Sequence, residues 1–174
     1  MLLAGGLAPA TSRAEDFFFS ERQKIQGCRL SKATEGELRW LFFTVCEGAL
    51  YTVDGVMLSW PELEDPFMLE LAYHREISVE KLQELSRRVF NENTTKIERR
   101  RLQDQLAQFH TSLQPVQPGD RYALLYQPAH GTTLLHNGQI YITIPGRDFA
   151  RHYFSIYLGT HPINEDFRDA LLDR

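Results

Sequence analysis

The sequence predicts an α+β fold in which a mainly antiparallel sheet packs against helices. Three observations carry this. Strand-like runs open the chain, two helical patterns occupy its middle, and strands followed by helices close it, which is segregation rather than strand–helix alternation. Most neighbouring strand runs are joined by turn signals, the connection antiparallel partners use. The last third, Gly119 to Arg174, sets two strand patterns on either side of Asn137-Gly138, a favourable type I′ pair, and follows them directly with two short helical patterns.

Each element has its own signal. Lys24 to Lys32 is a modest strand pattern, and Glu35-Gly36 after it predicts a hairpin turn. Glu37 to Thr52 is dense in aromatic and β-branched residues and predicts one long strand; Gly48 inside it marks either a bulge or a close approach to the backbone. Asp54-Gly55 ends this strand, and Pro61 to Pro66 is an acidic loop. Phe67 to His74 returns as a strand with Phe67, Leu69, Leu71 and Tyr73 on one face. Ser78 predicts the cap of a helix running through Phe90, with Leu82, Leu85 and Val89 as its apolar stripe. Thr95-Lys96-Ile97-Glu98 is a capping box, so a second helix follows to about Leu113 with Leu102, Leu106 and Phe109 inward; Pro115 and Pro118 stop it. Strands are expected over Asp120 to Gln127, Thr132 to His136 and Gln139 to Ile144, and helices over Arg147 to Leu158 and Glu165 to Leu172, the last capped by Asn164.

The 174 residues suit one domain, placed here over 15–174, with 43% hydrophobic and 24% charged residues as in ordinary globular chains. A net charge of −4 argues against a dedicated nucleic-acid binder, and no apolar run reaches the roughly 20 residues that span a bilayer. Residues 1–14, MLLAGGLAPATSRA, resemble the back half of a secretory signal peptide, with small residues before Glu15; the alternative is a disordered tail. A signal would place the protein in the periplasm or outside the cell, and its absence in the cytoplasm.

The two cysteines, Cys28 and Cys46, are too few for a disulfide framework. With a turn at Glu35-Gly36 they would stand roughly 10 Å apart at ~3.3 Å per residue, beyond the reach of a bridge, so no intrachain disulfide is expected. The six histidines form no i, i+4 pair or HExxH motif, so neither a metal nor a cofactor is expected. Lys96, Arg99, Arg100 and Arg101 with Arg87 and Arg88 form a basic region, read as a solvated helix face or as a contact for anionic headgroups.

Two runs carry a family resemblance. Gly36 to Tyr51, GELRWLFFTVCEGALY, resembles the early core strand of the bacterial chalcone isomerase-like proteins, where an Arg-Trp pair leads into a strand ending Ala-Leu-Tyr. His136 to Leu172 is similar to their C-terminal segment: a hairpin, Ile-Pro-Gly, Asp-Phe, a helix ending Leu-Gly and a final helix ending in leucines. The resemblance covers roughly residues 25–174. It implies an open-faced β-sandwich, a curved and largely antiparallel sheet covered by helices on one face. In plant enzymes of this type the cleft between sheet and helices cyclises chalcones to flavanones, and related plastid proteins bind fatty acids there.

The plant chemistry does not transfer residue by residue. The family's cleft threonine, counted five residues back from Tyr51, falls on Cys46, a weak donor; Thr44 is the nearby hydroxyl and strand alternation places it on the same face. The tyrosine and asparagine positions fall on Ser78 and Leu85, and the arginine has one candidate, Arg39. The resemblance with these departures implies a non-catalytic domain holding a small apolar acid such as a fatty acid, with Arg39 on the carboxylate and Thr44, Cys46, Tyr51 and Ser78 around the ligand. Arg39 also reads as a surface arginine stacked on Trp40. The group Trp40, Phe42, Tyr51, Phe154 and Tyr157 reads either as packing core or as pocket lining. Two rival functions stand: an isomerase- or lyase-type enzyme in the same cleft, and a scaffold with a filled cleft that works through a protein partner the sequence does not specify.

Overall fold

The computed structural model describes residues 18–174. The predicted leader or tail at residues 1–14 lies outside them. Seven strands form one sheet: β1 (Arg22–Ile25), β2 (Cys28–Trp40), β3 (Phe43–Thr52), β4 (Phe67–Tyr73), β5 (Arg121–Gln127), β6 (Gly131–His136) and β7 (Gln139–Ile144). They lie side by side in chain order, every neighbour antiparallel. The helices α1 (Val79–Glu92) and α2 (Lys96–Thr111) enter between β4 and β5, and α3 (Arg147–Leu158) and α4 (Glu165–Leu171) follow β7.

The helix starts obey local chemistry. Ser78 Oγ accepts from the Lys81 amide at 3.3 Å. Thr95 and Glu98 close a full capping box, and Asn164 Oδ1 accepts from the Phe167 amide at 2.8 Å. Each bond satisfies a backbone donor that the first helical turn leaves without an internal partner.

Strand β4 organises the interior, because all seven of its residues are buried. Phe67, Leu69, Leu71 and Tyr73 face the helices and join Phe90, Phe109, Phe149, Phe154 and Phe167 in the main core. Met68 and Ala72 point the other way, into a smaller cluster with Phe19, Leu30, Ala49, Tyr51 and Leu125. The sheet therefore curls and buries part of its helix-free face against the segment before β1. There Arg121 pairs with the buried Glu70 at 3.0 Å, donates to the Phe18 carbonyl at 2.9 Å and lies over the Phe19 ring.

Three expectations in the first strands are corrected: Lys24 to Lys32 is not one strand but turns at Gln26-Gly27, Glu37 to Thr52 is divided between β2 and β3, and the turn at Glu35-Gly36 is absent. The chain does not reverse at Glu35-Gly36; β2 runs straight through, and the hairpin turns at Leu41-Phe42, where Trp40 pairs with Phe43. The aromatic run Trp40 to Phe43 has strand propensity, yet Leu41 adopts φ 53° at the apex. Gly36 and Gly48 face each other across the ladder for another reason. A Cβ on Gly36 would lie 2.8 Å from Ala170 Cβ, and one on Gly48 would run into the Phe167 ring. Both glycines let α4 press onto the sheet, so of the two readings of Gly48 the close approach holds.

Candidate functional site

A cavity of about 700 Å³ opens between the β2–β3 hairpin, the end of β4, and helices α1 and α3. Leu38, Val45, Cys46, Leu71 and Tyr73 form its sheet side, and Leu82, Leu85, Ile156 and Tyr157 its helix side. Arg39, Trp40, Phe43, Arg75, Lys81 and Arg88 also line it. A second void of about 40 Å³ shares Leu71, Tyr73, Leu82, Ser86 and Tyr157 with it and continues toward Tyr122 and Tyr153.

The polar groups inside are held neutral. Burial pushes the Cys46 thiol up to about 12, and burial raises the Tyr73 and Tyr157 phenols well above their ordinary range. Neither phenol makes a hydrogen bond to another described residue. Held protonated, these groups do not supply a base. Ser86 sits on the α1 wall with Oγ 2.8 Å from His110 Nε2. His110 Nδ1 has no hydrogen-bond partner among the described residues. Burial, and then the nearby Arg87, lower the His110 pKa to about 4, so the ring is a neutral structural partner near pH 7.

The mouth carries the charge. Arg39 is 65% exposed there, and its Nη2 lies 2.6 Å from Glu37. The Arg75 guanidinium stands 4.9 Å from the Phe43 ring centroid. Lys81 pairs with Glu84 at 3.0 Å.

Of the predicted ligand residues, Arg39, Cys46 and Ser78 line the cavity; Thr44 and Tyr51 do not. Thr44 is displaced by a bulge. Leu38 pairs with Cys46 but Arg39 pairs with Thr44, so Val45 is an extra residue that breaks the alternation. Tyr51 is five residues from Cys46, an odd step along a strand, and lies on the opposite face. Its hydroxyl donates to the Ser20 carbonyl at 2.9 Å and lies 3.3 Å from Glu70. Arg39 sits at the lip rather than in the depth, and the Ser78 side chain is engaged as a helix cap. The aromatic group divides as well: Tyr157 lines the cavity, Phe154 is core, and Trp40 and Phe42 are exposed. Sequence reasoning missed Arg75, Lys81 and Arg88 as lining residues. A signal existed, since Ser78, Lys81, Leu85 and Arg88 recur at helical spacing along one flank of α1.

Among the described residues no three metal-ligating side chains gather, and no helix is long and apolar enough to cross a membrane. Histidines pair with carboxylates instead, His74 with Glu47 at 2.7 Å, and His152 with Glu98 at 3.2 Å and Asp148 at 3.5 Å.

The sheet and its helical cover have a counterpart among solved structures. A fatty-acid binding protein of Arabidopsis thaliana is similar to this chain with a TM-score of 0.68 at 11% identity, over 90% of this chain and 92% of that one. Identity that low shows a shared fold. No curated protein sequence matches. A family model for chalcone isomerase-like proteins matches residues 15–173, nearly the whole chain, so this protein belongs to the chalcone isomerase-like family.

Proposed function

We propose that the cleft binds a small apolar acid such as a fatty acid, without covalent chemistry. The observation that carries this reading is an open cavity of about 700 Å³, of ligand size, walled mainly by apolar side chains and cationic only near its mouth. A carboxylate is costly to bury without a charged partner, so the head group stays at the mouth against Arg39 and Arg75 and the apolar part extends inward past Leu82, Leu85 and Ile156. The fatty-acid binding neighbour of the same fold supports the same ligand class.

An isomerase-type reading has one observation in its favour: two neutral phenols, Tyr73 and Tyr157, are among the residues lining the cavity. Among the lining residues the carboxylate is Glu76, which is solvent-exposed, and the buried phenols and thiol are held protonated, so the buried part of the cavity offers no carboxylate, phenolate or thiolate as a base. The binding reading is therefore preferred.

The test is native mass spectrometry of the protein purified without detergent, with organic extraction of bound material. The expected result is a co-purifying or added acyl acid whose occupancy falls in Arg39→Ala and Arg75→Ala, and falls also in Leu85→Trp, which narrows the cavity on its helix side. A mass unchanged after incubation with fatty acids and with chalcones would overturn the proposal.

A further inference from the structure

The β2–β3 hairpin ends in a tip the fold does not cover. Trp40 is 64% exposed, Leu41 79%, Phe42 95% and Phe43 53%. The other large exposed apolar side chains among the described residues stand singly or as one pair, as at Phe18, Met57, Ile97 and Ile140-Tyr141. Single exposed residues need no explanation, but four consecutive ones at the apex of a turn mark a contact surface. Left-handed φ at Leu41 shapes this apex and the amide of Asn164 anchors its base through the Arg39 carbonyl, so the tip is held in place by the fold.

We propose that this tip docks the protein on a lipid bilayer, inserting Leu41 and Phe42 among the acyl chains with Trp40 at the headgroup level. Three features favour a bilayer over a protein partner. The tip offers on the order of 600 Å² of apolar surface, from aromatic side chains of ~150–250 Å² each, below the ~800 Å² per partner of a stable protein interface. Its composition, two aliphatic or phenyl groups at the point and an indole behind them, is that of interfacial anchors. Charge is complementary as well. Arg75 packs on Phe43 beside the tip; Arg39 at the collar is offset by Glu37 and Lys81 further back by Glu84, and the remaining lining charges, Arg75 and Arg88 against Glu76, leave one positive charge over. This one excess positive charge predicts a modest preference for anionic headgroups, about five-fold.

Trp40 and Phe43 also line the cavity mouth. Docking through the tip therefore turns the opening toward the membrane, so that an apolar guest can pass between bilayer and cleft without crossing water. This consequence rests on the proposed binding function; the docking itself does not.

Vesicle flotation tests it with no fatty acid present. The probes are vesicles of phosphatidylcholine, and of phosphatidylcholine with about one part in three phosphatidylglycerol. The expected result is association with both, stronger on the anionic vesicles, and lowered roughly tenfold or more in Leu41→Ser/Phe42→Ser, whose exposed changes leave the core intact. Trp40 fluorescence should shift to the blue on binding, and the shift should vanish in Trp40→Phe while flotation persists. Absence of flotation on both compositions overturns the proposal, as does flotation unaffected by the tip variant. Concentration-dependent dimerisation abolished by that variant would assign the tip to a second copy and equally overturn it. Flotation without fatty-acid uptake would leave docking standing and defeat the binding function instead.

Discussion

Lowering the pH from 7.5 to 5 should destabilise this protein through one buried imidazole. His110, on α2, packs against α1, and its Nε2 meets Ser86 Oγ at 2.8 Å while Nδ1 finds no partner among the described residues. The charged ring carries two N–H donors, and only one has somewhere to go. Burial, with Arg87 nearby, holds the folded-state pKa at about 4, against an ordinary value near 6.5. Between these values the unfolded chain binds the proton that the folded chain refuses. Stability is thus complete above about pH 6.5 and declines as the pH falls toward 4. The linkage predicts a loss of about 2 kcal/mol between pH 7.5 and 5, and on the order of 3 kcal/mol once the pH is below the folded value. Urea denaturation at pH 7.5, 6 and 5 measures it, compared with His110→Gln, which keeps a donor for Ser86 but cannot titrate. Glu98 is held near 2, mainly by its bonds to the Thr95 backbone and hydroxyl, so its own linkage acts at lower pH and cancels in the comparison. Wild type and variant losing equal stability between pH 7.5 and 5 would refute the neutral, buried assignment.

Three further outcomes follow from the geometry. Gly48→Ala should cost about 1–3 kcal/mol and lower the thermal midpoint, because its Cβ would collide with the Phe167 ring and lie 3.2 Å from Leu71; an unchanged midpoint would mean that α4 shifts freely. Thr95→Ala should cost about 1 kcal/mol in urea denaturation by opening the capping box at α2. An aromatic disulfide reagent should label Cys28 in the native protein and Cys46 only on unfolding, since Cys46 is buried with its thiol pushed up to about 12; rapid native labelling of both would show the cleft to be more open than described.

Much of the fold was legible in the residues because it rests on local chemistry. The capping box at Thr95, the Asn137-Gly138 turn and the boundaries of β7 and α3 each depend on neighbours within a few positions. The inward face of β4 follows from a period of two. The Glu35-Gly36 turn misled because a glycine kept bare for a distant helix looks, in sequence, like a glycine kept for a turn. The site was less legible: Arg39 and Cys46 reach the cavity, whereas the bulge at Val45 moves Thr44 out and parity sends Tyr51 to the far face.

Sequence by itself determined the fold class, the helix starts and most strand positions, since hydrophobic period, caps and turn residues act through adjacent backbone groups. Tertiary structure alone decided that sheet and helices leave a cavity between them, that Arg75 lines it, and that Trp40 to Phe43 stand exposed at its mouth. These depend on how far α1 and α3 stand from β2 and β3, a distance set by the summed packing of side chains remote in the chain, which no local pattern encodes.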